Sequence, residues 1–255
     1  MRVSTTDREI AALALPALGA LAADPLVSLI DTAFVGQLGA EPLAALGVCT
    51  AVFGFAFLAF NFLAYGTTPL VAAAIGRGDR EATSRLVWHA LALAVGAGLA
   101  ATVLLQLVAV PVLQVMGARG PLLDEALVYL RIRALAAPAV LIVMVGHGAF
   151  RGYRDTRTPL WVTLGLNAVN LALDPLLIFG LGWGLAGAAW ATVIAQASGA
   201  VVFVALLLRG TVSTPAVQRQ RLSWAVLRPL VRIGGDLALR VALLVGTLTL
   251  ATAIA

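Results

Sequence analysis

The sequence predicts an all-α membrane protein, a polytopic bundle of helices, on three observations. Of its 255 residues 61% are hydrophobic and 11% charged, at a mean hydropathy of +1.00. That is too little charge to cover the surface of a soluble domain. The apolar residues gather into seven long runs, separated by short loops that carry arginine. None of the runs alternates apolar and polar residues as the strands of an outer-membrane barrel do, and all are too long for such strands.

A helix needs about 20 apolar residues to cross the hydrocarbon core. The runs occupy residues 10–36, 43–75, 86–116, 127–150, 160–181, 184–208 and 230–255. The second and third exceed the minimum, which implies tilt or protrusion. The opening MRVSTTDRE leads into too long an apolar run for a signal peptide and has no small-residue cleavage site, so the first run is read as retained. All 17 basic residues are arginine. Thirteen precede the first run, lie between runs two and three, four and five, or six and seven, or, as Arg232 does, stand at the start of the seventh. The other side has Arg119, with Arg131 and Arg133 at the mouth of the fourth run, and Arg240 lies inside the seventh. The arginine-rich side is expected to be cytoplasmic, which puts the N-terminus inside and the chain, multi-pass, in the cell (cytoplasmic) membrane.

Dispersed in short loops, these arginines do not make a nucleic-acid surface; the partner they imply is the lipid bilayer. Cys49 is the only cysteine, so there is no disulfide framework and no cysteine-based metal site. No H-E-x-x-H, Walker A or G-x-S-x-G pattern occurs, and the chain reads as neither an enzyme nor a cofactor protein.

The informative residues are polar ones inside apolar runs. An Asp near the bilayer centre costs roughly 2.5–3.5 kcal/mol to insert, yet Asp24, Asp31 and Asp174 are all there. Asp24 and Asp31 are seven apart and share a helix face with Ser28 between them. In the fifth run Thr163, Asn167, Asn170 and Asp174 fall at spacings of four, three and four, one continuous stripe. With the topology above, both Asp31 and Asp174 sit roughly 8–9 Å below the outer surface, and Thr192 and Gln196 of the sixth run at about 12 and 18 Å. The first, fifth and sixth runs therefore offer polar groups at overlapping depths.

Intramembrane Asn and Thr commonly serve helix–helix hydrogen bonds. The acids differ, because the first six runs hold no Lys or Arg at their depth. They must take up a proton, meet water or bind an exchangeable cation such as Na⁺. Asp24 precedes Pro25, which frees a backbone carbonyl. His147, near the cytoplasmic end of the fourth run, reads as a packing residue, and Asn61 and Tyr65 in the second read as structural.

Three stretches resemble one family: LIDTAFVGQLG at 29–39, FRGYRDTRTPL at 150–160, and NAVNLALDPLLIFGLGWGLAGAAWATVIAQ at 167–196. They are similar to the MATE (multidrug and toxic compound extrusion) transporters, the first pointing to the DinF-like branch, and the likeness runs from about residue 10 to 209. It implies a two-lobe fold of twelve helices that exports organic cations and other amphipathic compounds by antiport against H⁺ or Na⁺. Carried over by motif, Asp31, Asn170, Asp174 and Thr192 line a cavity in the N-terminal lobe, with the acids linked to cation coupling. Residues 1–209 are then a six-helix N-terminal lobe, 210–229 a cytoplasmic inter-lobe linker, and 230–255 the first helix of a second lobe. Run seven echoes run one (RIGGDLALRVALL against EIAALALPALGAL) and reaches Ala255 without a polar cap, as in a fragment whose C-terminal lobe is missing. Two rival functions remain: a flippase for lipids or lipid-linked precursors, expected to carry an arginine-rich cavity, and a remnant that inserts without transporting.

The topology is checked by thiol labelling. A Cys at Gly182 is expected to react with an impermeant reagent from outside and one at Asp155 to be protected; the reverse pattern would overturn the orientation.

Overall fold

Hydrocarbon offers backbone N–H and C=O groups no water, so each span must close its own hydrogen bonds. The computed structural model describes residues 5–58, 60–211, 214–233 and 235–236, with backbone alone at 5–13, 20, 21 and 24. Every regular element among them is helical: α1 (Thr5–Gly36), α2 (Ala40–Leu58), α3 (Phe62–Gly76), α4 (Arg80–Val115), α5 (Pro121–Ala134), α6 (Ala137–Gly152), α7 (Arg157–Pro175) and α8 (Gly184–Arg209), with a π-helical turn at Leu176–Gly180. Four described stretches are long and apolar enough to cross a membrane: Ala40–Gly76, Arg80–Val115, Arg157–Gly180 and Gly184–Arg209. A fifth is added when α5 and α6 count as one bent span. The first expected span coincides with α1, while nearly all of the seventh lies outside the described residues.

The structure breaks two runs that the sequence reads as continuous. The second run parts into α2 and α3, joined through i→i+3 bonds from Phe60 N–H to Phe57 O and from Asn61 N–H to Leu58 O. The fourth parts into α5 and α6, which meet at a 49° bend. Pro138, in the first turn of α6, has no N–H to give to the carbonyl of Ala134. That carbonyl instead accepts from Thr102 Oγ1 of α4 at 2.9 Å, and the Arg131 carbonyl accepts from Gln106 Nε2 at 2.9 Å. The bend survives in an apolar setting because α4 satisfies the exposed carbonyls.

Packing follows from small residues. α6 lies against α3, α4 and α8, and α7 lies between α1 and α8. At Gly98 of α4 a Cβ would collide with the backbone of Pro138, so α4 touches the bend itself. At Gly148 of α6 a Cβ would stand 2.6 Å from the Ala64 carbonyl oxygen, and close approach there lets Thr68 Oγ1 donate to the Gly148 carbonyl at 3.1 Å. Such contacts replace the hydrophobic drive that is missing between helices in lipid. Apolar side chains such as Leu107, Trp161 and Val201 stay exposed, as faces turned to acyl chains require.

Beyond α8 the chain folds back over the end of α4. Gln218 N–H donates to Ser84 Oγ, Trp88 Nε1–H to the Gln220 carbonyl and Ser223 N–H to His89 Nε2, each at 2.8 Å. His89 Nδ1 reaches the Arg85 carbonyl at 2.7 Å, and Arg219 lies over the Trp88 ring. Helix resumes at residues 224–233, beginning inside the 210–229 segment read as linker and running past its end.

Gly98→Ala is expected to lower the thermal-unfolding midpoint in detergent by several degrees, since overpacking costs about 1–3 kcal/mol. Gly96→Ala, where no atom lies within 4 Å of a new Cβ, is expected to leave it unchanged or raise it. Equal behaviour of the two variants would show that α4 does not need the close contact.

Candidate functional site: a polar cavity among five helices

The stripe on α7 faces inward, as its spacing predicts: Thr163, Asn167, Asn170 and Asp174 are all buried. Asp174 ends the helix proper. Pro175 follows, and then the π-helical turn, in which Leu181 N–H donates to the Leu176 carbonyl at 2.8 Å. Turns of this kind are common where a helix is distorted to place a functional group. The start of α8 presses on this turn: a Cβ at Gly187 would lie 2.7 Å from the Leu177 carbonyl carbon.

A cavity of about 390 Å³ opens in front of the stripe. α1 contributes Ser28, Asp31 and Thr32; α7 contributes Asn167 and Asn170; α8 contributes Thr192 and Gln196. The convergence expected of the first, fifth and sixth runs is thus observed. Asp174 stands behind this wall, fully buried, with its Oδ2 accepting from Asn170 Nδ2 at 3.2 Å. Its carboxyl lies close to that of Asp31 across the α1–α7 interface, near enough for the two acids to act on each other. Oδ1 of each acid is buried and receives no donor. Thr192 Oγ1 donates back to the Ala188 carbonyl at 3.0 Å, leaving its lone pairs available. Asp24 lies on α1, but its side chain is outside the described residues.

Two further helices line the cavity that the sequence did not bring to it: α2, with Thr50 and Phe53, and α5, with Tyr129 and Arg133. This corrects the expectation that no basic side chain shares the acids' depth. Arg133 belongs to the last turn of α5, just before the bend. Six residues into its run, Arg133 already stands about 9 Å along the helix, level with the depth counted for the acids. Arg133 lies beside Tyr129, one turn earlier, and its charge acts on Asp31. The guanidinium lies 5.4 Å from the centre of the Phe53 ring. The signal for it was present in the sequence: Tyr129 and Arg133 are four apart on one face, ahead of Pro138.

His147 does not reach the cavity wall. Its Nε2 lies 3.2 Å from Thr163 Oγ1 and its ring packs on Phe203. Asn61 caps α3, and Tyr65 is exposed. A larger cleft of about 530 Å³ between α7 and α8, lined by Trp161, Val169 and Val202, contains no charged side chain. Chemically, two carboxylates brought close together repel each other unless a proton or a small cation stands between them, and the Asp31–Asp174 pair lies beside a polar cavity.

A family model described as MatE matches residues 16–176. Among curated proteins, Protein DETOXIFICATION 44, chloroplastic, of Arabidopsis thaliana is 44% identical over 200 residues, covering 74% of this chain and 38% of that protein. DNA damage-inducible protein F of Escherichia coli (strain K12) is 34% identical over 199 residues, covering 76% of this chain and 42% of that protein. Among solved structures, that of a MATE protein in a bent conformation superposes with a TM-score of 0.84 at 27% identity, covering 92% of this chain and 53% of that one. The chain thus spans about half, or less, of the length of the proteins it matches.

Proposed function

We propose a function for this chain, which belongs to the MatE family of membrane transporters: it forms the N-terminal lobe of a cation-coupled exporter of amphipathic organic compounds. Members of the family are transporters and not enzymes. The observation that carries the reading is the closeness of the Asp31 and Asp174 carboxyls, braced by Asn170 and facing a polar cavity. In this reading H⁺ or Na⁺ binds between the two acids, with oxygens of Asn170 and Thr192 near enough to assist a hard cation. Asn167 and Gln196 present amides to the substrate. Loading and unloading the pair changes the cavity's charge by one, so the cation and a positively charged group on the substrate compete for the same acids. Competition of that kind links the two fluxes in opposite directions, which is antiport.

A second lobe would supply the other wall against which this one rocks. The membrane assigned is the cytoplasmic one, with the N-terminus inside, on the strength of the arginine distribution. A lipid-linked flippase called for an arginine-rich cavity; this one is lined by a single arginine among the described residues, Arg133.

In a full-length, two-lobe protein, Asp31→Asn and Asp174→Asn are each expected to cut gradient-driven efflux by at least about tenfold while membrane insertion persists, since removing a charge lowers the insertion cost. Wild-type efflux in both would make the acids structural. For the 255-residue chain alone, expressed in an efflux-deficient strain, no drug resistance is expected. Dicyclohexylcarbodiimide should nevertheless label Asp31 or Asp174, and Na⁺ or a competing ligand should slow that labelling. Gradient-dependent efflux by this chain would overturn the half-transporter reading.

A further inference from the structure

Cation coupling at the acid pair makes no use of Arg133. Its surroundings are specific nonetheless. Tyr129 lies beside it in the cavity wall and the Phe53 ring covers one side of the guanidinium. Nη1 is buried and has no hydrogen-bond partner. Among the described residues no carboxylate lies within 4.0 Å of it; the one such pair is Arg85–Glu81, at the edge of the bundle. A guanidinium offers five N–H donors in a planar fork suited to a carboxylate. Here a half-buried fork packs on an aromatic ring and has a donor unfilled.

Arg133 and Asp31 line the same cavity from different helices, α5 and α1, with the amides of Asn167, Asn170 and Gln196 along the remaining walls. Opposite charges therefore share a space of about 390 Å³, small enough to act on one modest ligand. A plain organic cation entering it meets the repulsion of Arg133. A plain organic anion meets that of Asp31. In a poorly hydrated cavity such like-charge encounters are expensive. A molecule that carries both charges brings no net charge into the membrane and satisfies both walls.

We propose that the cavity selects small amphoteric molecules, binding an ammonium group at the Asp31–Asp174 pair and a carboxylate on Arg133. This rests on the reading of the cavity as the transport site and names its substrate class. The ammonium competes with the coupling cation for the acids, which preserves exchange. The carboxylate does not, and serves to distinguish the substrate from simple amines. Arg133 is thus a specificity-determining residue, and Tyr129 and Phe53 position it.

The test uses three molecules that share one aromatic ring and differ only in charge: phenylalanine, phenethylammonium, which lacks the carboxylate, and 3-phenylpropionate, which lacks the ammonium. Their binding to the 255-residue chain in lipid nanodiscs is measured by displacement of radiolabelled phenylalanine and by direct titration calorimetry. Phenylalanine is expected to bind at least about tenfold more tightly than either single-charge analogue. Arg133→Gln should reduce phenylalanine to the level of phenethylammonium without weakening phenethylammonium itself. Arg133→Lys, which keeps the charge and loses the fork, should retain part of the preference. Equal binding of phenylalanine and phenethylammonium to the unaltered chain would overturn the proposal, whichever variants fold. So would an unchanged ratio in a folded Arg133→Gln variant. Failure of the underlying coupling reading looks different: the preference for phenylalanine would stand, but neither H⁺ nor Na⁺ would compete with it, and Asp31→Asn would leave that insensitivity unchanged.

Discussion

A carboxyl group buried in hydrocarbon needs a partner, and the pairing of Asp31 with Asp174 is the one on which the arrangement of the site depends. It sits on the α1–α7 interface and fixes which faces of those helices meet. Asn170 can brace Asp174 because both lie on the inward stripe of α7, one turn apart. With that stripe turned inward, Thr192 and Gln196 of the neighbouring α8 close the other side of the cavity. Polar groups that would be costly singly in lipid are thereby gathered into one volume, where each offsets the desolvation of the next.

The distortions near the cavity obey the same requirement for satisfied backbone groups. Two prolines, Pro138 and Pro175, interrupt the spans that carry Arg133 and Asp174. Each break sits within a turn or two of the charged residue and is repaired locally: by Thr102 and Gln106 from α4 in one case, by the wider turn through Leu181 in the other. The close approach at Gly98 keeps α4 near enough to supply those donors.

Much of this was legible in the residues. The apolar runs identified the spans because backbone satisfaction leaves a lipid-embedded segment no alternative to helix. The stripe Thr163, Asn167, Asn170, Asp174 identified the inward face of α7 because helical period determines which side chains lie together, and all four are buried. Arg133 was misplaced for a physical reason. It was assigned to the mouth of its run, although six residues of helical rise bring it about 9 Å in, level with the acids. The second run's break had no comparable marker, since no proline lies between Leu58 and Phe62. Tyr129 and Phe53 were missed because an aromatic residue in an apolar run is ordinarily core, and only the neighbouring guanidinium gives these two another role.

The strap over α4 has a mechanical meaning. Residues 218, 220 and 223 are each held to that helix by a hydrogen bond, and the last closes on a histidine whose other ring nitrogen is already engaged by the Arg85 carbonyl. The helix that begins at residue 224 therefore starts from a pinned point. The helix then packs back on the bundle, with Leu230 buried in the core cluster and Ile233 against Gly66 of α3. In mechanical terms the segment after α8 is clamped rather than hinged: it is held in place at α4 and held in direction by Leu230 and Ile233.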